Sequence, residues 1–211
     1  YDQMDWLADE RDRRGASWTW TILRPQIVCG VAIGSPLNVV AAIGAFAAIS
    51  RDYGMPLRFP GGDPRIGEAT DARLIARAME WAGTDDRAAD EVFNIANGDV
   101  YQWEAIWPRI AKLFEMELGP RHPMSLARTM PGNADLWPKI TEKHDLIRYS
   151  LSDLVPSWSF VDFIFGHGQR PNPHNMSTIK ARKAGFHDCV DTEDMFIELL
   201  QEMQDRRYIP R

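Results

Sequence analysis

The chain has 211 residues, 45% of them hydrophobic, with 24 Lys+Arg against 30 Asp+Glu and a formal charge of −6. That content supports one domain, or one domain plus a small lobe, and the acidity argues against a nucleic-acid or anionic-membrane partner, since both are bound through clustered cations. Cys29 and Cys189 form no CxxC pair, which suits a reducing, cytoplasmic setting with no disulfide framework or zinc site, and the longest apolar run, Val39 to Ile49, falls far short of the ~20 residues of a membrane span.

Tyr1 to Arg13 reads as a helix that begins with no cap or leader, the pattern of a chain that continues upstream; Gly15 ends it. Trp18 to Leu23 is aromatic, β-branched and too short for a helix, so it reads as a strand. Pro25 removes a backbone donor and stops its pairing. A buried strand halted by proline and followed by an apolar run marks the C-terminal edge of a sheet, where α/β enzymes hold a cofactor or substrate. No glycine-rich phosphate loop precedes it, so the chain reads as the back half of a nucleotide-dependent enzyme.

Gly34-Ser35-Pro36 is a loop. Leu37 to Tyr53 reads as a helix apolar nearly all round, rich in small residues (Ala41, Ala42, Gly44, Ala45, Ala47, Ala48). Such a helix needs cover on several sides, and both the core and a second subunit could provide it. Leu57-Arg58-Phe59 reads as a short strand closed by Pro60-Gly61-Gly62. Asp71 to Ala82 is an amphipathic helix with Leu74, Ile75, Ala78 and Met79 at helical spacing. Val92 to Ile95 is a strand ended by Asn97-Gly98. Trp103 to Phe114 is helical, with Pro108 inside at a nominal ~3 kcal/mol, which predicts a kink or a later start.

From Gly119 the chain becomes irregular. Short helices are expected over Leu136 to Glu142 and Trp158 to Phe165, a loop over Gly166 to Pro173, and a helix over Asn175 to Ala184 stopped by Gly185. Thr192 caps a last helix whose Met195, Phe196, Leu199, Leu200 and Met203 form one stripe. Strands alternating with helices give the α/β class.

Few residues advertise chemistry. His122, His144, His167, His174 and His187 form no HExxH or i, i+4 pair, and the two in the Gly/Pro/Asn loop, His167 and His174, read as surface residues rather than metal ligands. There is no GxSxG elbow, Walker loop or paired catalytic carboxylate. Trp103, Trp107 and Trp137 read as core fillers. Trp158 opens the aromatic-dense stretch to Phe165, which suits a lid or pocket wall.

Several segments, taken in order, resemble a known family. They are Tyr1-Asp2-Gln3-Met4-Asp5; Trp20-Thr21-Ile22-Leu23-Arg24-Pro25 with Gly30; Asn38 before the small-residue helix; Leu57-Arg58-Phe59-Pro60-Gly61; Phe93 to Val100 with Trp103 and Trp107-Pro108; Lys183-Ala184-Gly185-Phe186; and Ile209-Pro210. Together they resemble the C-terminal two-thirds of the progesterone 5β-reductase/iridoid synthase-like group of short-chain dehydrogenase/reductases.

The resemblance implies the C-terminal part of a Rossmann-type parallel sheet, interleaved with substrate-lobe segments over residues 1–118, and a smaller, mostly helical substrate lobe over residues 119–211. It implies an oxidoreductase using NADPH, with NADH possible, that reduces the activated C=C bond of a small apolar carbonyl compound. Hydride goes to the β-carbon and a tyrosine stabilises the enolate. Tyr1 matches that catalytic tyrosine; Arg24, Pro25, Gln26, Ile27 and Val28 match the segment lining the nicotinamide; Phe160 matches an aromatic pocket wall, with Trp158, Asn38 and Phe46 as further substrate-binding positions.

Met4 stands where the family usually has Glu, Ile27 replaces a commonly polar residue and Phe46 replaces a Tyr. The family's glycine loop, phosphate-binding basic residues and catalytic lysine would all precede Tyr1, so this chain alone is expected to be inactive. Two other readings stay open: an extended epimerase or dehydratase acting on a nucleotide sugar, and a non-catalytic module that dimerises through its small-residue helix. The first needs a polar pocket with arginines on a diphosphate, against which the aromatic stretch at 158–165 argues.

Overall fold

In the computed structural model the described residues are 2–168 and 175–211. Helix α1 (Asp2–Arg14) ends at Gly15, whose φ of +57° suits a residue without a Cβ. Strand β1 (Thr21–Pro25) pairs in parallel with β5 (Glu91–Ile95), Thr21 opposite Glu91 and Pro25 opposite Ile95. Gln26 then donates its N–H to the Ile95 carbonyl, and the chain runs directly into β2 (Ile27–Cys29), which is parallel to β4 (Ala69–Asp71). Pro25 therefore ends one pairing without ending the extended chain, which steps from one parallel partner to the next. A third pair, β3 (Ile66–Gly67) with β6 (Tyr101–Gln102), is antiparallel.

Parallel neighbours require crossovers. Helix α2 (Val39–Asp52) lies on the connection from β2 to β4, and α3 (Ala72–Thr84) on that from β4 to β5. The remaining helices are α4 (Trp103–Leu113), α5 (Leu126–Thr129), α6 (Trp137–Lys143), α7 (Leu151–Leu154), α8 (Trp158–Ile164), α9 (Ile179–Lys183) and α10 (Thr192–Asp205). Among the described residues, no helix is long and apolar enough to cross a membrane.

The main core forms around α2, whose residues Val39 to Ser50 are all buried. Helices α6, α8 and α10 of the same chain pack on it, so the small-residue helix is covered from within. Beside it sits an aromatic cluster, with Phe59 and Trp107 rings 5.1 Å apart and Trp103 and Phe165 rings 4.9 Å apart. Trp137 donates its indole N–H to the Tyr149 carbonyl, whereas that of the buried Trp107 has no partner among the described residues. A smaller cluster under β5 joins Leu74, Ala78, Phe93, Ile95, Ala181 and Phe186.

Several boundaries differ from those expected. Residues 18–20 precede the strand, which begins at Thr21. Leu57 makes only an isolated bridge to Leu118, so residues 57–59 do not form the expected strand. Helix α4 starts at Trp103 and carries Pro108 inside it, so the proline does not delay its start. Helix α9 is shorter than expected, since residues 175–178 lie outside it. Asp191, not Thr192, caps α10 by accepting the Asp194 N–H; Thr192 is the first helical residue and donates its hydroxyl to Asp99. The expected loop at 166–173 falls outside the described residues from Gln169 onward.

Candidate functional site

The C-terminal end of β1 presents Arg24 and Pro25 exposed, with Gln26 and Ile27 half-buried and Val28 42% exposed. Apolar surface left open on a strand next to exposed polar groups is what a flat ring ligand can cover. Two neighbours frame this edge. Glu68 accepts from Gln26 Nε2 at 3.3 Å and from the Met176 N–H at 2.7 Å. Asn94, near the end of β5, donates its amide to the Ser177 carbonyl at 3.2 Å. Residues 176–177 are thereby tied across the strand ends. Arg24 Nη2 lies 3.0 Å from Met4 Sδ, joining α1 to the same edge.

Beneath the edge a buried polar network locks the strands to α10. Asn97 accepts the Asp71 N–H at 2.7 Å and donates to Thr192 Oγ1 at 3.0 Å, and the Thr192 N–H donates to Asp99 Oδ2 at 2.8 Å. Asp71 caps α3 through the Arg73 N–H and also takes the Arg73 guanidinium, Nη2 lying 2.6 Å from Oδ2. Burial alone would raise the Asp71 pKa, but the hydrogen bonds from Arg73 outweigh it and hold the carboxyl below the usual range. The Cys29 thiol is pushed up to about 12 by burial, with the Asp71 charge adding to the rise. Burial likewise pushes the Tyr101 hydroxyl up. At neutral pH Cys29 is a packed thiol rather than a nucleophile, and Tyr101 is a packed phenol.

The other residues singled out in the sequence lie elsewhere. Asn38 is buried and caps α2: Oδ1 accepts from Val40 and Ala41, and Nδ2 donates to the Ala32 carbonyl. Phe46 faces Trp107 at 6.3 Å and lines an apolar cavity of about 370 Å³. Trp158 is buried in the main core, and Phe160 is half-buried with its N–H on Ser157 Oγ; neither lines that cavity. Tyr1 and His174 lie outside the described residues. The structure thus gathers residues 24–28 on one edge and sets Phe46 in another wall. Glu68 and Asn97 carry no sequence signal for their roles: the first is a lone acid in a loop, and the second reads only as a turn residue.

No family model matches the chain. It is 31% identical to (S)-8-oxocitronellyl enol synthase CYC1 of Camptotheca acuminata, over all of this chain and 56% of that protein. It is also 31% identical to the (S)-8-oxocitronellyl enol synthase of Antirrhinum majus, over all of this chain and 54% of that protein.

The chain is a homologue of these enol synthases. It spans about half the length of the curated relatives it matches. Among solved structures, a GDP-L-fucose synthetase from Naegleria fowleri superposes with a TM-score of 0.63 at 11% identity, covering 96% of this chain and 51% of that one. The same enzyme bound to NADP superposes with a TM-score of 0.59 at 11% identity, with the same coverage. At such identity the likeness concerns the fold, which is Rossmann-type α/β.

Proposed function

We propose that the chain forms part of an NADPH-dependent reductase of activated enones. The observation that carries this reading is the 31% identity to an enol synthase along the entire chain. The exposed edge at Arg24–Val28 supports it, because it lies at the C-terminal end of a parallel strand pair, where open α/β sheets hold their ligands. The edge also fits the ring end of a nicotinamide, as Val28 offers apolar surface and Pro25 carries no N–H to satisfy.

When bound, NADPH would supply the hydride. On this reading the chain's own part is to position and stabilise. Tyr1 donates its phenolic O–H to the oxygen that becomes an enolate, a preorganised donor placed where negative charge develops. Residues 24–28 support the ring, while the half-buried Phe160 keeps water from an apolar substrate.

The test uses the complete enzyme of which this chain forms part, and follows NADPH absorbance with a panel of α,β-unsaturated carbonyl compounds and of nucleotide sugars. Consumption that depends on the enone is expected, with Tyr1→Phe lowering turnover on the order of 10²-fold while NADPH binding is kept. Turnover of nucleotide sugars without enone reduction would overturn the reading, as would full activity in Tyr1→Phe.

A further inference from the structure

The cavity that Phe46 lines is bounded by the C-terminal half of α2 and by the segments near Met55 and Met124, and its volume of about 370 Å³ lies in the range of small-molecule sites. Its floor is apolar and closed, with Phe46 7%, Ile49 3% and Met130 3% exposed. Its mouth is open, with Met55 50% exposed.

Arg58 brings a positive charge to the mouth. Arg58 is exposed there with its stem against Gly119, and it makes no ion pair or hydrogen bond among the described residues. His122 also lines the cavity, and no carboxylate does. On the floor, Ser50 is 4% exposed, yet its hydroxyl has no hydrogen-bond partner among the described residues. Helical serines commonly bond back to a carbonyl of the preceding turn; this one is left for something inside the cavity.

We propose that this cavity is a binding site for a small amphipathic carboxylate. Its apolar body lies on Phe46, Ile49 and Met130, its carboxylate meets the Arg58 guanidinium, and an oxygen function at the far end pairs with Ser50. A guanidinium fork matches a carboxylate in shape as well as charge. A neutral hydrocarbon would leave both polar groups unused, and a cationic amphiphile would face Arg58. Of the positions the reductase reading uses, only Phe46 lines the cavity; residues 24–28, Asn38, Trp158 and Phe160 do not, and the carboxylate site rests on Arg58 and Ser50, which that reading does not use.

The probe is decanoate, titrated into the 211-residue chain with methyl-labelled methionine and followed by NMR. Met55, Met124 and Met130 are expected to shift while the core residues Met195 and Met203 stay still. Decanol should bind about tenfold more weakly, the value of one charge-assisted hydrogen bond, and Arg58→Met should bring decanoate down to the level of decanol. ω-Hydroxydecanoate should bind more tightly than decanoate, and Ser50→Ala should erase that gain. Unmoved cavity methionines up to the solubility limit would overturn the proposal. So would decanol binding the parent as tightly as decanoate, a comparison that decides the matter even if Arg58→Met fails to fold. Equal affinity for the two carboxylates would overturn the role given to Ser50.

Discussion

Asp71 is almost fully buried, and its charge survives there because Arg73 supplies both its backbone N–H and its guanidinium. Because hydrogen bonding from Arg73 outweighs burial, the folded-state pKa lies below the ordinary carboxylate value. The sign of the linkage follows: the group contributes stability above the unfolded pKa of about 4, and that contribution is lost as pH falls through the lowered folded value. Replacing Arg73 by Gln removes the guanidinium and its charge while keeping the backbone N–H, so burial is opposed less and the folded pKa rises. The acid-unfolding midpoint of Arg73→Gln, followed by circular dichroism, is therefore expected at higher pH than that of the parent; an unmoved midpoint would show that the pair contributes nothing. None of this was legible in sequence, where Asp71 read only as the first residue of an amphipathic helix. Asn38 was legible in position, and its capping of α2 was not drawn from the sequence. The residue before a buried helix is where a cap belongs, and the family resemblance had drawn attention to substrate instead.

Helix α2 was legible because its signal is long and unambiguous: a run of apolar and small residues bounded by Pro36 on one side and Gly54 on the other. What covers it was not legible, since small residues suit a close intrachain neighbour and a second subunit equally. The structure supplies the neighbour at Gly44, where an added Cβ would stand 2.5 Å from Ile209 Cδ1 and 2.9 Å from Ile209 Cγ2. Two effects then compete in Gly44→Ala. Helix propensity favours alanine by about 1 kcal/mol, and overpacking typically costs 1–3 kcal/mol. The branched end of Ile209 is itself fully buried and has little room to retreat, so the variant is expected to be less stable by about 1–2 kcal/mol in urea denaturation. Equal or greater stability would mean that the segment from Tyr208 to Pro210 yields. The short strands β3, β4 and β6 went unread for a physical reason. Elements of two or three residues show no period, and only their pairing partners, far away in sequence, define them.

The whole molecule is unevenly consolidated, and that asymmetry was invisible before the topology was known. The main cluster draws on α2, α4, α6, α8 and α10 and includes Trp103, Trp107, Trp137, Phe165 and Phe196 at 2% exposure or less. The cluster under β5 is far smaller and is closed on one side by the short helix α9. The proposed cofactor edge sits on β1, whose only strand partner among the described residues is β5. Buried apolar area sets how much free energy local opening must overcome. Amides of α2, α4 and α10 are therefore expected to exchange only through the largest openings, whereas those of β1, β5 and α9 exchange earlier through a smaller one. Native-state hydrogen exchange at low denaturant would measure this. A difference of two orders of magnitude in protection corresponds to about 2.7 kcal/mol, a gap that a single extra cluster of aromatic contacts can supply. Uniform protection across both groups would mean that the two clusters unfold as one cooperative unit, and that the network through Asn97, Thr192 and Asp99 transmits the stability of α10 to the strand ends. In that case the edge at residues 24–28 would be as rigid as the core.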